Sequence, residues 1–130
     1  MTDIIAHLRH CPASPRKMRL VADLLRGKNI SEAEVALRFT EKRAAAFLAK
    51  LLRSAVANAE HNFSLPKEKL RIKRITVDDG PILKRYLPRA RGRATPLRRR
   101  RSHVTVVLSE QQKNAAKSDL AASSVRKKGK

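Results

Sequence analysis

The chain has 130 residues, a length that suits one domain around a small core. Its 31 Lys and Arg against 11 acids give a net charge of +20; such a surface repels its own copies, so no homo-oligomer is expected, and its natural partner is a polyanion. One cysteine, Cys11, excludes an internal disulfide, no apolar run approaches the roughly 20 residues of a membrane span, and the N-terminus lacks the pattern of a secretory signal, so a soluble, reducing, cytoplasmic setting is expected.

Thr2 to Arg9 alternates, with Ile4, Ala6 and Leu8 on one face, which predicts a short strand. Ser14-Pro15 is a helix start, since Ser caps free N–H groups and Pro loses nothing at the first helical position. Met18, Val21, Ala22 and Leu25 follow at helical spacing, and Gly27 supplies the stop. Arg16, Lys17 and Arg19 sit near the start of this helix, where the dipole disfavours cations. They mark either a nearby anion or ordinary solvated charge. Ser31 to Glu34 has capping-box spacing and predicts a second, short helix. Thr40 reads as the cap of a third. From there Ala44, Phe47, Leu48, Leu51, Leu52, Ala55 and Ala59 form one stripe on a helix of about 20 residues. His61-Asn62 frays its end and Pro66 prevents resumption.

Leu70 to Val77 is strand-like with a parity slip: Leu70 and Ile72 share one parity, Ile75 and Val77 the other. An extra residue at Lys73-Arg74 restores one apolar face, so a β-bulge is expected there. Asp78-Asp79-Gly80-Pro81 reads as a bend. Ser102 to Leu108 is a further strand, pairing antiparallel with the previous one and with the first strand joining them. Gln111 to Lys130 is polar, alanine-rich and basic, and reads as a flexible tail or as a helix that forms on binding.

Between the last two strands lies KRYLPRARGRATPLRRRR, residues 84–101, with nine bases and no acid. It is a floppy linker, or the strands continue outward into a long arm. Eight of the nine bases are Arg, which binds phosphate bidentately and stacks on bases. Arg89, Arg91 and Arg93 alternate, so in an extended backbone they share a face, with Ala90, Gly92 and Ala94 making a slim opposite face. Arg98, Arg99, Arg100 and Arg101 project both ways. Few aromatics argue against base-stacking platforms and favour recognition of phosphate, sugar and shape.

Catalytic readings are weak. Asp78-Asp79 would point to opposite strand faces, Glu60-His61 is poorly placed as a pair, and His7, His10 and Cys11 lack the partners of a tetrahedral metal set. No catalytic residue, metal site or cofactor is assigned, and phosphate-loop and nucleophile motifs are absent.

Four stretches carry a family likeness: SPRKMRLVADLLRGK (14–28), LLRSAVANAEHN (51–62), VDDGPILKRYLPRARGRA (77–94) and RSHVTVVLSE (101–110). In order and over about residues 3–110, the chain resembles bacterial large-subunit ribosomal proteins of the L-twenty-two family. The resemblance implies an α+β domain, three helices on a small three-stranded antiparallel sheet, with a long protruding β-hairpin. One domain is expected over 1–110, with an arm at about 79–101; the tail over 111–130 lies outside the resemblance. The resemblance also implies a structural rRNA-binding constituent, with neighbouring ribosomal proteins and, at the hairpin tip, the nascent polypeptide as partners. The tip would be Leu83, Lys84, Arg85, Tyr86, Leu87 and Pro88 at the exit-tunnel wall, with Arg89, Arg91 and Arg93 gripping RNA behind it. Pro96 and Leu97 depart from the family's basic or polar run and put strand pairing after the tip in question. The rival reading from charge alone is a nucleoid-type DNA-binding protein.

Overall fold

The computed structural model describes residues 3–110. Alternation builds strand β1 (Asp3–Cys11), whose Ile4 and Ala6 are buried while Ile5 and His7 are exposed. Three helices follow: α1 (Pro15–Leu25), α2 (Ile30–Phe39) and α3 (Arg43–Phe63). A 3₁₀ turn (Lys67–Lys69) leads into the long strand β2 (Leu70–Pro88), and a second 3₁₀ turn (Ala90–Gly92) reverses the chain into β3 (Ala94–Glu110). The strand order is β1-β3-β2, both pairings antiparallel, so the last strand in sequence sits in the middle. This is the expected α+β arrangement of three helices and a three-stranded sheet with a long hairpin. The tail read over Gln111 to Lys130 lies outside the described residues.

One sheet face is covered by the helices. Val104, Val106 and Leu108 of β3 alternate inward, with Ile4 and Ala6 beside them and Leu70, Ile72, Ile75 and Val77 on the other flank. Against them lie Met18, Val21, Ala22 and Leu25 of α1 and Leu48, Leu51, Leu52, Ala55 and Ala59 of α3. Fully burying one such aliphatic side chain contributes about 1.5–3 kcal/mol, so this layer supplies most of the fold's stability. The alanines let α3 lie close to the sheet, and Phe47, on the stripe's margin, is only half-buried.

The parity slip is a bulge. Ile72 opposes Leu108 and Arg74 opposes Val107, which leaves Lys73 as the extra residue. Its ammonium meets the Asp3 carboxylate at 2.7 Å. The slip lets Ile72 and Ile75 both face the core.

Three local expectations need correction. Helix α2 begins one residue before the supposed capping box, with Asn29 as its cap, because Ile30 is buried and anchors the first turn. Thr40 ends α2 rather than starting α3; its hydroxyl donates to the Ala36 carbonyl at 2.7 Å, and Lys42 precedes α3. Gly80-Pro81 is not a bend. The ladder runs from Asp79↔Ser102 to Ile82↔Arg100, so Gly80 and Pro81 form a second bulge within one continuous strand. A Cβ on Gly80 would lie 3.0 Å from the Arg101 carbonyl carbon and oxygen, tighter than an ordinary Cβ contact, so a side chain there would press on the facing strand.

Beyond this bulge β2 and β3 leave the body as a two-stranded ribbon. The ladder continues from Ile82↔Arg100 to Pro88↔Ala94, about 20 Å at ordinary strand rise. Tyr86 opposes Pro96, so pairing persists through the prolines. In a two-stranded ribbon each strand is an edge, and a proline whose missing N–H faces outward removes no ladder bond.

Candidate nucleic-acid interface

Every residue from Pro81 to Arg100 is exposed. The ribbon therefore has no core, and its apolar side chains (Ile82, Leu83, Tyr86, Leu87 and Leu97) are exposed. What the sequence left open as linker or arm is an arm by backbone pairing. A two-stranded ribbon is marginally stable alone in water, and with nine like charges and no acid over 84–101 it repels itself.

The chain reversal differs from expectation. Leu83 to Pro88 is not the turn; it pairs with Arg99 to Ala94. The reversal lies at Arg89–Arg93, where Arg91 (φ 59°) and Gly92 (φ 69°) take left-handed backbone and the Arg89 N–H donates to the Arg93 carbonyl at 2.7 Å. Arg89, Arg91 and Arg93 consequently do not share one extended face. They fan out around the apex, because the two left-handed residues turn the chain between them. Lys84 and Arg85 stand on the rising strand, with the Arg85 guanidinium folded onto the Lys84 carbonyl at 2.8 Å.

At the root of the arm is a cleft of about 890 Å³. Its walls are α1 with the residues before it, the N-terminus of α3 and β3 at Arg98–Arg101. Lys17, Lys42 and Arg43 line it together with the four arginines, and no acid does. Arg98 and Arg100 share parity with Ser102 and Val104, whose side chains face the helices. Arg101 donates to the His10 carbonyl at 3.1 Å and secures the β1 bulge, where His10 has φ 55° and its N–H donates to His103 Nδ1 at 3.0 Å.

Of the three cations expected at α1, the structure brings only Lys17 to this cleft. Arg16 is exposed. Arg19 reaches across to β2, donating to the Val77 carbonyl at 3.2 Å and meeting Asp79 at 3.5 Å, and so ties α1 to the arm's base. Lys42 and Arg43 were missed from sequence. Reading Thr40 as the cap placed the acid Glu41 in the first turn of α3, which hid the same cation-at-the-N-terminus signal seen at α1. With Lys42 as the cap, the first turn holds no acid and no side chain caps it.

A second groove, between α2 and α3, has mixed character. Glu34, Glu41 and Glu60 line it beside its bases, and Lys67 pairs with Glu34. With three acids beside five bases, among them Lys42 and Arg43 which also line the cleft, it is less positive than the cleft.

The residues weighed for catalysis are dispersed. His7 faces the open side of the sheet and meets the Thr105 hydroxyl at 3.1 Å, whereas Cys11 is buried on the helix side opposite Ser102. Burial pushes the Cys11 thiol above its ordinary range, opposed by the Ser102 hydroxyl and by the Arg43 and Arg101 charges. The buried Ser102 Oγ, which has no other partner among the described residues, faces this thiol across the β1–β3 pair.

Sequence comparisons agree with this architecture. The family model described as "Ribosomal protein L22p/L17e" matches residues 6–109. The "Large ribosomal subunit protein uL22" of Thermus thermophilus is 54% identical over 102 residues, 78% of this chain and 90% of that protein. The protein of the same name from Pelotomaculum thermopropionicum gives the same figures, and that from Pediococcus pentosaceus is 54% identical over 97 residues, 75% of this chain and 82% of its own. With the match spanning the helical body, the sheet and the whole arm, the chain belongs to the ribosomal protein L22p/L17e family.

Proposed function

We propose that the arm threads into the large ribosomal RNA, that its outer end lines the polypeptide exit tunnel, and that the chain supports subunit assembly by joining several RNA domains. As a member of this family the chain is a structural constituent of the large ribosomal subunit in the cytoplasm, and not an enzyme. The observation that carries the finer reading is the arm itself: a continuous ladder, exposed throughout, with nine bases and no acid over 84–101. A ribbon of this composition gains order when RNA phosphates neutralise it and release counterions. The apex arginines lead into the RNA, and of the expected tip Tyr86, Leu87 and Pro88 lie directly behind them as the segment nearest the tunnel wall, while Leu83 stands at the arm's root. The nascent chain would pass this outer end, and neighbouring ribosomal proteins would meet the body.

Sedimentation of a cell extract at low salt tests the reading. The protein should co-migrate with large ribosomal subunits. Its recovery in fractions of free protein or of duplex DNA would refute it and favour the nucleoid alternative.

A further inference from the structure

We propose that the cleft at the root of the arm is a separate binding site for one RNA backbone strand, gripped at once by α1, α3 and β3, which fixes the arm's direction relative to the body. The inference rests on the RNA-binding reading above and adds a second point of attachment about 20 Å from the apex.

Three observations carry it. The cleft is large, about 890 Å³, and its lining includes Lys17, Lys42, Arg43 and Arg98–Arg101 without one acid. Among the described residues none of these seven forms an ion pair, although Arg19, Arg26, Lys67 and Lys73 all do. Seven cations thus stand together around one cleft with no acid among them to neutralise them. The neighbouring groove between α2 and α3, similar in size at about 710 Å³, mixes acids with its bases, so an acid-free lining is not general to this surface.

The placement of Lys42 and Arg43 is also unfavourable for folding alone. Both stand at the N-terminal end of α3, where the helix dipole is positive and where no acid or side-chain cap relieves it. Lys17 stands in the first turn of α1, which is likewise without an acid. A bound phosphate removes the conflict, since it offsets the cations at both helix starts and can accept from the N–H groups at the start of α3. The lining has Pro12, Ala13, Ala44, Leu20 and Leu83 between the charges and no aromatic ring on which a base could stack. The site therefore reads backbone and not base.

The three walls come from segments far apart in sequence, and the arm leaves the body at one of them. A strand held across all three would act as a splint. It would set the arm's angle before or while the apex finds its own RNA.

The test uses the full chain and large-subunit ribosomal RNA, with binding measured across a salt series. Three proteins are compared: the parent, Lys42→Glu/Arg43→Glu, and Arg98→Ala/Arg100→Ala. Acids at the start of α3 suit the dipole, so the first variant should melt within a few degrees of the parent or above it. It should nonetheless bind more weakly, with a salt slope shallower by about one unit for each phosphate it no longer neutralises. The second variant, on exposed arm residues, should show a shallower slope likewise and guards against any folding defect in the first. Parent-like affinity and slope in both folded variants would overturn the cleft while leaving the arm reading intact. Failure of the parent itself to bind the RNA in a salt-dependent way would overturn both. An equal preference of the cleft for an acidic peptide, shown by competition that the variants abolish, would reassign the site to a protein partner.

Discussion

Replacing Gly80 by Ala perturbs the junction of body and arm with one methyl group. Its Cβ would sit 3.0 Å from both the carbon and the oxygen of the Arg101 carbonyl and 3.2 Å from the Ser102 nitrogen. All three atoms are backbone of the paired strand β3, so none can swing aside as a side-chain end could. Nine in ten real Cβ contacts are looser, so the strands must give locally by a few tenths of an ångström. Overpacking of this kind costs about 1–3 kcal/mol. For a domain of this size, 1 kcal/mol shifts the melting temperature by roughly 4–8 °C. If separation is confined to the root of the arm, the cost appears instead as faster hydrogen exchange at the amides around Arg101 and Ser102. Thermal unfolding and exchange should therefore be read together. A variant with parent-like melting and parent-like exchange at Arg101 and Ser102 would refute the close approach and the bulge that rests on it.

Further outcomes follow from the same geometry. Leu52→Ala, at a fully buried site in the stripe of α3, should destabilise by about 2–5 kcal/mol in denaturant titration. Replacing Arg89, Arg91 and Arg93 together by Ala should leave melting unchanged, since all three are exposed, while lowering the salt slope of RNA binding; an unaltered slope would mean that the apex touches no phosphate. Arg19→Ala removes a bridge that is half exposed, so its stability cost should stay within about 1 kcal/mol, with loosening of exchange confined to Val77 to Asp79. Cys11 should resist alkylation until the protein unfolds. Because burial raises its folded pKa above the unfolded one, its contribution to stability is complete below the ordinary thiol pKa and is lost as pH rises through the folded value.

Much of the body could be read from periodicity, because there burial decides. The α3 stripe from Ala44 to Ala59 and the alternation of Val104, Val106 and Leu108 each follow one geometric period facing one core. The Lys73 bulge was legible for the same reason: two isoleucines of opposite parity, Ile72 and Ile75, must both be buried. Helix ends were less legible. Thr40 has the chemistry of an N-cap, yet its hydroxyl is as well satisfied by the Ala36 carbonyl at the end of the preceding helix. In the arm, where nothing is buried, periodicity has no hold. Gly80-Pro81 looks like a turn but serves a close strand approach. The true reversal depends on Arg91 at φ 59°, a conformation that arginine does not advertise. The basic cleft was beyond sequence reasoning because its walls, at Lys17, at Lys42-Arg43 and at Arg98–Arg101, are brought together only by the fold.

The central claim, that this arm takes its stable form inside ribosomal RNA, is tested most directly by limited trypsin digestion. Lys84 and the eight arginines up to Arg101 provide the cleavage sites. The account predicts rapid cutting across this stretch in the free protein, where the ribbon stands alone in water, and full protection in assembled large subunits. Equal cleavage rates in the two states would contradict it.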